Sequence, residues 1–185
     1  MDGSERLQLT FPPLQAELPR WSHDARQIVF SARLPDAAYN IYLVSSEGGT
    51  PQRVLPSDQS QMDVNWSPDG RYIAAIKTDT QTLVLFDFAF RTWTDAFPSQ
   101  MGYETWSHDG KYLYFEGATA PDMFSGIFRF RLSDRKIETI VDTRRLGRMT
   151  AGGFDSWFGL APDDSPLLTR DLSTQEIYAL EMEWP

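Results

Sequence analysis

Trp66–Arg71 has the sequence WSPDGR, and this short stretch decides the fold of the chain. It joins a large aromatic residue to a tight turn, and the β-branched and aromatic run Tyr72–Ile76 follows it. Pro68 presets the backbone φ angle for a turn, Asp69 can accept hydrogen bonds from nearby backbone N–H groups, and Gly70 tolerates a positive φ. The stretch therefore predicts a turn that leads into a β-strand.

The same signature occurs three more times. Trp21–Arg26 has the sequence WSHDAR, and Trp106–Lys111 has the sequence WSHDGK. Leu160–Ser165, with the sequence LAPDDS, is a worn fourth copy that lacks the tryptophan. The three tryptophans lie 40–45 residues apart. This is a repeat protein, and its other features are interpreted from the repeat.

Each complete repeat predicts four short strands, with the signature turn between the first and the second. No segment shows a sustained 3.6-residue period, so the chain is predicted to be all-β. Four-stranded units at this spacing indicate a β-propeller, in which neighbouring blades pack around an axis. The anchor tryptophan of each inner strand is expected to fill the gap between adjacent blades.

The strand count predicts about four blades of four antiparallel strands. The last repeat supplies only three strands, while one isolated strand precedes the first repeat. We expect that strand to close the last blade and remove an exposed sheet edge. Met1–Ser4 has the sequence MDGS, which is typical of the middle of a hairpin turn, so we expect the chain to be a fragment of a longer protein. The predicted segments are a blade-closing strand at 5–10, blade 1 at 14–56, blade 2 at 61–98, blade 3 at 101–142 and blade 4 at 154–184.

Composition excludes several classes of function. The net charge of −9 argues against nucleic-acid binding by this segment, because phosphate groups require clusters of Lys and Arg. No apolar run approaches the roughly 20 residues of a membrane span, so no membrane contact is expected from this segment. The absence of cysteine removes disulfides, thiol nucleophiles and thiolate metal sites, and two histidines are too few for a zinc site.

The signature resembles the TolB-type β-propeller repeat, a relative of WD-repeat propellers whose turn is Trp-Ser-Pro-Asp-Gly. Here His23 and His108 replace the proline, and Ala25 replaces one glycine. The ending from Ser156 to Leu180 is similar to the C-terminal propellers of large bacterial regulators. These resemblances imply a non-catalytic binding or scaffold module, such as the sensor or protein-interaction domain of a bacterial signalling or transcriptional regulator. They also imply a periplasmic location, with the cytoplasm as the alternative, and further blades or domains before Met1.

Catalytic machinery is not predicted. Ser22-His23-Asp24 contains the letters of a hydrolytic triad, but consecutive residues on a tight turn point in different directions and cannot form the relay. The chain has neither a Gly-x-Ser-x-Gly nucleophile elbow nor a phosphate-binding glycine loop. We therefore expect no enzyme activity, no cofactor and no metal. The alternative is the non-catalytic gating propeller of a prolyl-oligopeptidase-like peptidase whose hydrolase domain is absent.

A binding site is expected at the mouth of the central channel, where the inner strands and their loops converge. The residues predicted to line it lie next to or near an anchor tryptophan: Arg20, Asp63, Asn65, Glu104 and Thr105. The simpler interpretation is that these side chains only form a solvated lining. A protein or peptide partner is predicted, with a small ligand as the alternative. A homodimer formed through open propeller edges is a further hypothesis.

Overall fold

The computed structural model describes residues 6–54, 60–98, 100–119, 124–146 and 157–170. Within these ranges the chain contains strands and turns and no helix, which confirms the all-β prediction. In particular, the described residues contain no helix with the length and apolarity needed to cross a membrane. Three antiparallel sheets have four strands each, and a fourth sheet has two described strands.

The sheets follow one another along the chain. Blade 1 contains β1 (Gln15–Trp21), β2 (Gln27–Arg33), β3 (Asn40–Ser45) and β4 (Gln52–Arg53). Blade 2 contains β5 (Gln61–Trp66), β6 (Tyr72–Lys77), β7 (Thr82–Asp87) and β8 (Thr92–Pro98). Blade 3 contains β9 (Gln100–Trp106), β10 (Tyr112–Thr119), β11 (Phe124–Arg131) and β12 (Ile137–Asp142). Blade 4 contains β13 (Phe158–Leu160) and β14 (Pro166–Leu168).

Each sheet keeps its strands in chain order, with every described neighbour antiparallel. The first strand of each blade contacts the first strand of the next blade: β1 contacts β5, β5 contacts β9, and β9 contacts β13. These four strands are therefore the inner strands, and they line the inner side of an arc of blades in the manner of a propeller.

The signature turn is built as its residue types predict. In blade 2 the Oγ of Ser67 donates to Asp69 Oδ1 at 2.6 Å and accepts from the Tyr72 N–H at 2.8 Å. Asp69 Oδ1 also accepts from the Arg71 N–H at 3.0 Å, and Gly70 has a φ of 71°. The equivalent hydroxyl and carboxylate bonds recur in blade 1 around Ser22 and in blade 3 around Ser107. The turn therefore forms from local hydrogen bonds that each repeat supplies for itself.

Apolar clusters join adjacent blades. One cluster packs Val29 and Ile41 of blade 1 against Ile73 and Phe86 of blade 2. A second packs the other face of blade 2 against blade 3, and a third joins blade 3 to β13 and β14. Blades 2 and 3 thus bury both of their faces on neighbouring blades, and the hydrophobic effect holds the arc of blades together.

Two of the three anchor tryptophans occupy the predicted gaps between blades. Trp66 packs against the cluster between blades 1 and 2, where its ring stacks on Phe88 with centroids 5.1 Å apart. Trp106 lies inside the cluster between blades 2 and 3 and stacks on Tyr72 at 6.4 Å. Trp21 departs from the prediction, because its side chain is 60% exposed. The physical reason is that no described sheet packs on that side of blade 1.

The predicted blade-closing strand also differs from the structure. Residues 6–10 are described and form no strand. Leu9 and Leu14 instead pack on the apolar face of blade 1, a cluster formed by Ile28, Phe30, Ala32 and Val44. Burial of these leucines on an otherwise open face removes apolar area from water, which explains why the segment lies there. The predicted pairing of this strand with residues 177–183 lies outside the described residues.

Candidate binding site at the channel mouth

A cleft of about 380 Å³ lies where the inner strands of blades 1 to 3 pass into their signature turns. Each blade contributes its anchor tryptophan, the residue before it and the second residue after it. The cleft is lined by Arg20, Trp21, His23, Asn65, Trp66, Ser67, Pro68, Thr105, Trp106 and His108. Equivalent positions of three repeats thus converge on one concave surface, which we call the mouth cleft.

The five residues predicted from the sequence fall into two groups. Arg20, Asn65 and Thr105 each precede their tryptophan directly, and all three line the mouth cleft. Asp63 and Glu104 precede the tryptophan by three and two residues, and neither contributes to the lining of the cleft. They lie further along the inner strands, below the mouth.

Asp63 lies at a β-bulge in strand β5. The register between β5 and β6 shifts between Met62 and Asn65, and Asp63 has a left-handed φ of 54°. Leu18 occupies the equivalent position of blade 1 and has a φ of 52° at a similar shift. A bulge of this kind changes the direction in which a side chain leaves the strand. The bulge therefore occurs in both blades, but only blade 2 has a carboxylate at this position, where blade 1 has a leucine.

Glu104 is a buried carboxyl, only 8% exposed. The preceding repeat has Val64 at the same place, which is 1% exposed. The pKa of Glu104 is raised to about 8, chiefly by burial and in addition by the nearby charge of Asp63. Its Oε2 has no hydrogen-bond partner among the described residues.

Asp63 and Arg20 complete the electrostatic environment. Burial raises the pKa of Asp63, and the positive charge of Arg20 opposes that shift. The charge of Arg20 likewise opposes the rise in the pKa of Glu104. The structure therefore brings Arg20, Asp63 and Glu104 within range of one another's fields, although no ion pair joins them in the described part of the chain.

Hydrogen bonds join the inner strands of blades 2 and 3 beside the mouth cleft. Asn65 Nδ2 donates to the backbone oxygen of Glu104 at 3.0 Å. The indole Nε1 of Trp106 donates to the backbone oxygen of Asn65 at 3.4 Å. These bonds tie β5 to β9 next to the residues that line the mouth cleft.

His23 and His108, which the sequence predicts only as turn residues, both line the mouth cleft. The position two residues after the tryptophan faces this cleft in all three blades. An alignment of the three repeats could therefore have indicated that both histidines line the cleft. His108 is also engaged by blade 4, because its Nδ1 lies 2.6 Å from Asp164 Oδ1 and its backbone N–H donates to the same oxygen at 3.0 Å. In blade 1, Ser22 Oγ donates to Asp24 at 2.7 Å, which is a turn bond and not a catalytic relay.

The lining determines what the mouth cleft can bind. Tryptophan and proline provide apolar walls, while Arg20, Asn65 and Thr105 provide a cation, an amide and a hydroxyl. No group of three or more His, Cys, Asp or Glu side chains is placed to hold a metal ion among the residues that the structure describes. A concave apolar surface with a few convergent polar groups is the usual form of a binding site.

No family model matches the chain, and no curated protein sequence matches it. Several solved structures, however, are similar to this chain. The TolB of Acinetobacter baumannii is 22% identical with a TM-score of 0.58, covering 76% of this chain and 34% of its own. An oligogalacturonate lyase in complex with manganese is 16% identical with a TM-score of 0.64, covering 85% of this chain and 46% of its own.

The β-propeller domain of the Trilobed protease from Pyrococcus furiosus is 13% identical with a TM-score of 0.58, covering 74% of this chain and 45% of its own. These similarities show a β-propeller fold of the TolB type. The chain spans between a third and a half of the length of these three proteins. Two of them carry the names of enzymes, so the shared fold by itself does not assign an activity.

Proposed function

We propose that this chain is a non-catalytic binding module that takes a segment of a protein or peptide at the mouth cleft. The observation that carries the proposal is the convergence of equivalent residues from three blades on one cleft of about 380 Å³. The tryptophan edges offer contact area for apolar side chains of the partner. Asn65 and Thr105 offer donors and acceptors for its backbone or polar groups.

In its biological setting, the module acts as the sensor or protein-interaction domain of a bacterial signalling or transcriptional regulator in the periplasm. The support is the TolB-type signature repeat, together with the similarity of the fold to the TolB of Acinetobacter baumannii. Fractionation of cells that express the natural full-length protein checks the compartment. Recovery of the protein only with the cytoplasmic fraction would contradict the periplasmic assignment.

Peptide selection tests the binding site. Random twelve-residue peptides are selected on the folded chain, and the selected peptides are then measured against Thr105→Trp, which fills the mouth cleft. We expect affinity to fall by at least tenfold in this variant. Thr139→Trp is the matched control, because Thr139 is exposed on β12 of blade 3, away from the cleft. Peptides that bind both variants as well as the parent would show that the partner binds elsewhere.

A further inference from the structure

The carboxyl of Glu104 is the group that the fold explains least. Its Oε2 is buried and has no hydrogen-bond partner among the described residues. The preceding repeat packs Val64 at this position and needs no polar atom there. An unsatisfied buried polar group is costly to a fold, and a well-packed apolar side chain is commonly more stable at such a place. The carboxyl at this position therefore requires a reason other than packing.

A second carboxyl lies close enough for its charge to act on Glu104. Asp63 is on the neighbouring inner strand, at a bulge with a left-handed backbone. The bond from Asn65 to the backbone of Glu104 holds the two strands together at this level. The same bulge carries Leu18 in blade 1, so the bulge is common to both blades while the carboxylate is specific to blade 2.

We propose, on the basis of the peptide-binding role proposed above, that Asp63 and Glu104 accept the ammonium group of a lysine side chain of the bound partner. The ammonium neutralises the repulsion between the two carboxylates and supplies hydrogen bonds to Glu104 Oε2. The pair is the part of the site that selects the partner by charge.

The depth of the pair fits the length of a lysine side chain. Glu104 precedes the cleft residue Thr105 by one position, and Asp63 precedes the cleft residue Asn65 by two. With a rise of about 3.3 Å per residue, the backbones of these two residues lie roughly 3–7 Å along the inner strands from the residues that line the mouth. The four-carbon stem of lysine spans such a distance and packs its methylenes against apolar walls while its charge reaches beyond them.

A divalent metal fits this place less well than an ammonium. Calcium needs six to eight oxygen ligands, and no cluster of three or more acidic or histidine side chains occurs in the described residues. Arg20 also adds a positive charge near both carboxylates. Its guanidinium donates to the Pro19 oxygen at 3.3 Å and forms no ion pair with either acid in the described part of the chain. The two carboxylates therefore still have capacity for one positive charge.

Binding of an ammonium is coupled to pH. The pKa of Glu104 is about 8, and the charged groups that act on it are Asp63 and Arg20. Because the ammonium favours the ionised carboxyl, the binding-competent fraction rises from roughly a tenth at pH 7 to nine-tenths at pH 9. The dissociation constant is then expected to be about tenfold lower at pH 9 than at pH 7.

The test uses n-butylammonium, which reproduces the lysine side chain from its β-carbon outward. The ligand is titrated into the full chain at pH 7 and pH 9 and followed by methyl NMR, with Val64 and Thr105 as reporters. 1-Butanol is the neutral control, and calcium chloride tests for a metal site. Glu104→Gln keeps the size of the side chain and removes its charge. Glu104→Val introduces the residue that the preceding repeat has at this position, so this variant is expected to fold even if Glu104→Gln does not.

The expected result is saturable binding of n-butylammonium that is about tenfold tighter at pH 9 and is lost in both folded variants. Equal binding of 1-butanol, unchanged binding in Glu104→Gln, or tighter saturation of the same reporters by calcium would overturn the lysine site. If peptides selected on the mouth cleft bind while n-butylammonium does not, only this inference fails. If no peptide depends on the cleft, the proposed function fails, whatever the amine does.

Discussion

Trp21 and Trp106 occupy the same position of the same repeat and have opposite surroundings. Trp106 is 6% exposed between blades 2 and 3, and Trp21 is 60% exposed on the far side of blade 1. A groove of about 330 Å³ lies beside Trp21, bordered by Leu9, Phe30 and Val44 among others. The signature turns that follow the two tryptophans have the same hydrogen bonds. The turn is therefore a local property of the repeat, while burial of the anchor depends on a neighbouring sheet.

The largest expected effect on stability is the difference between alanine substitutions of Trp106 and Trp21. Trp106→Ala is expected to lower the free energy of unfolding by about 3–5 kcal/mol, because it empties a closed cluster and removes the bond to Asn65. Trp21→Ala is expected to cost less than about 1 kcal/mol, since its side chain is mostly in water. Urea unfolding of both variants measures the difference. Equal losses would mean that Trp21 is buried in solution.

The next effect compares the turns themselves. Ser67→Ala leaves the Tyr72 N–H without its acceptor and is expected to cost about 1–3 kcal/mol. Ser22→Ala removes the equivalent bond to the Gln27 N–H and is expected to cost a similar amount, although blade 1 has an open face. The midpoints of urea unfolding check this. A much smaller loss for Ser22→Ala would show that the turn also needs the neighbouring blade.

Glu104 gives a stability effect that depends on pH. Its folded pKa of about 8 lies above the ordinary value of 4.5, so the protonated carboxyl contributes stability that is complete below pH 4.5 and is lost as pH rises towards 8. The parent is expected to lose stability relative to Glu104→Gln by of order 1 kcal/mol per pH unit over this window. Unfolding curves at pH 5, 6.5 and 8 measure the slope. Parallel pH profiles for parent and variant would contradict the buried position of this carboxyl.

The smallest effect concerns the cover of blade 1. Leu9→Ala removes part of the packing on Ile28 and Phe30 and is expected to cost roughly 1 kcal/mol. Leu7→Ala is the matched control, because Leu7 is exposed, and its cost is expected to be near zero. Thermal unfolding distinguishes the two. Identical midpoints would mean that residues 6–10 do not stabilise this face.

The repeat allowed the sequence to predict most of the fold. The letters of Trp66–Arg71 contain the turn, its capping carboxylate and its positive φ, and the strand runs follow at regular spacing. The packing of residues 6–10 could not be predicted, because the alternation of Leu7 and Leu9 suits a strand as well as a cover on an apolar face. The exposure of Trp21 was missed for a related reason, since burial between blades depends on which sheets are adjacent.

The site was predictable in position and not in detail. Proximity to the anchor tryptophan selected Arg20, Asn65 and Thr105, which line the mouth cleft. Proximity to the tryptophan also selected Asp63 and Glu104, which lie below the cleft. The sequence could not show this difference, because it does not reveal the bulge in β5. His23 and His108 were assigned to the turns alone, since a turn position does not reveal which of its side chains faces the channel.

Amide NMR at pH 7, with a selected peptide added to the chain, tests most directly whether the mouth cleft is the binding site. If the mouth cleft binds the partner, the perturbed amides cluster around Arg20, Asn65 and Thr105, while the open face of blade 1 is unchanged. Perturbations confined to Leu9, Ile28 and neighbouring residues of blade 1 would contradict binding at the mouth cleft. In that case the exposed edge beside Trp21, and not the channel mouth, would be the surface through which this propeller binds its partner.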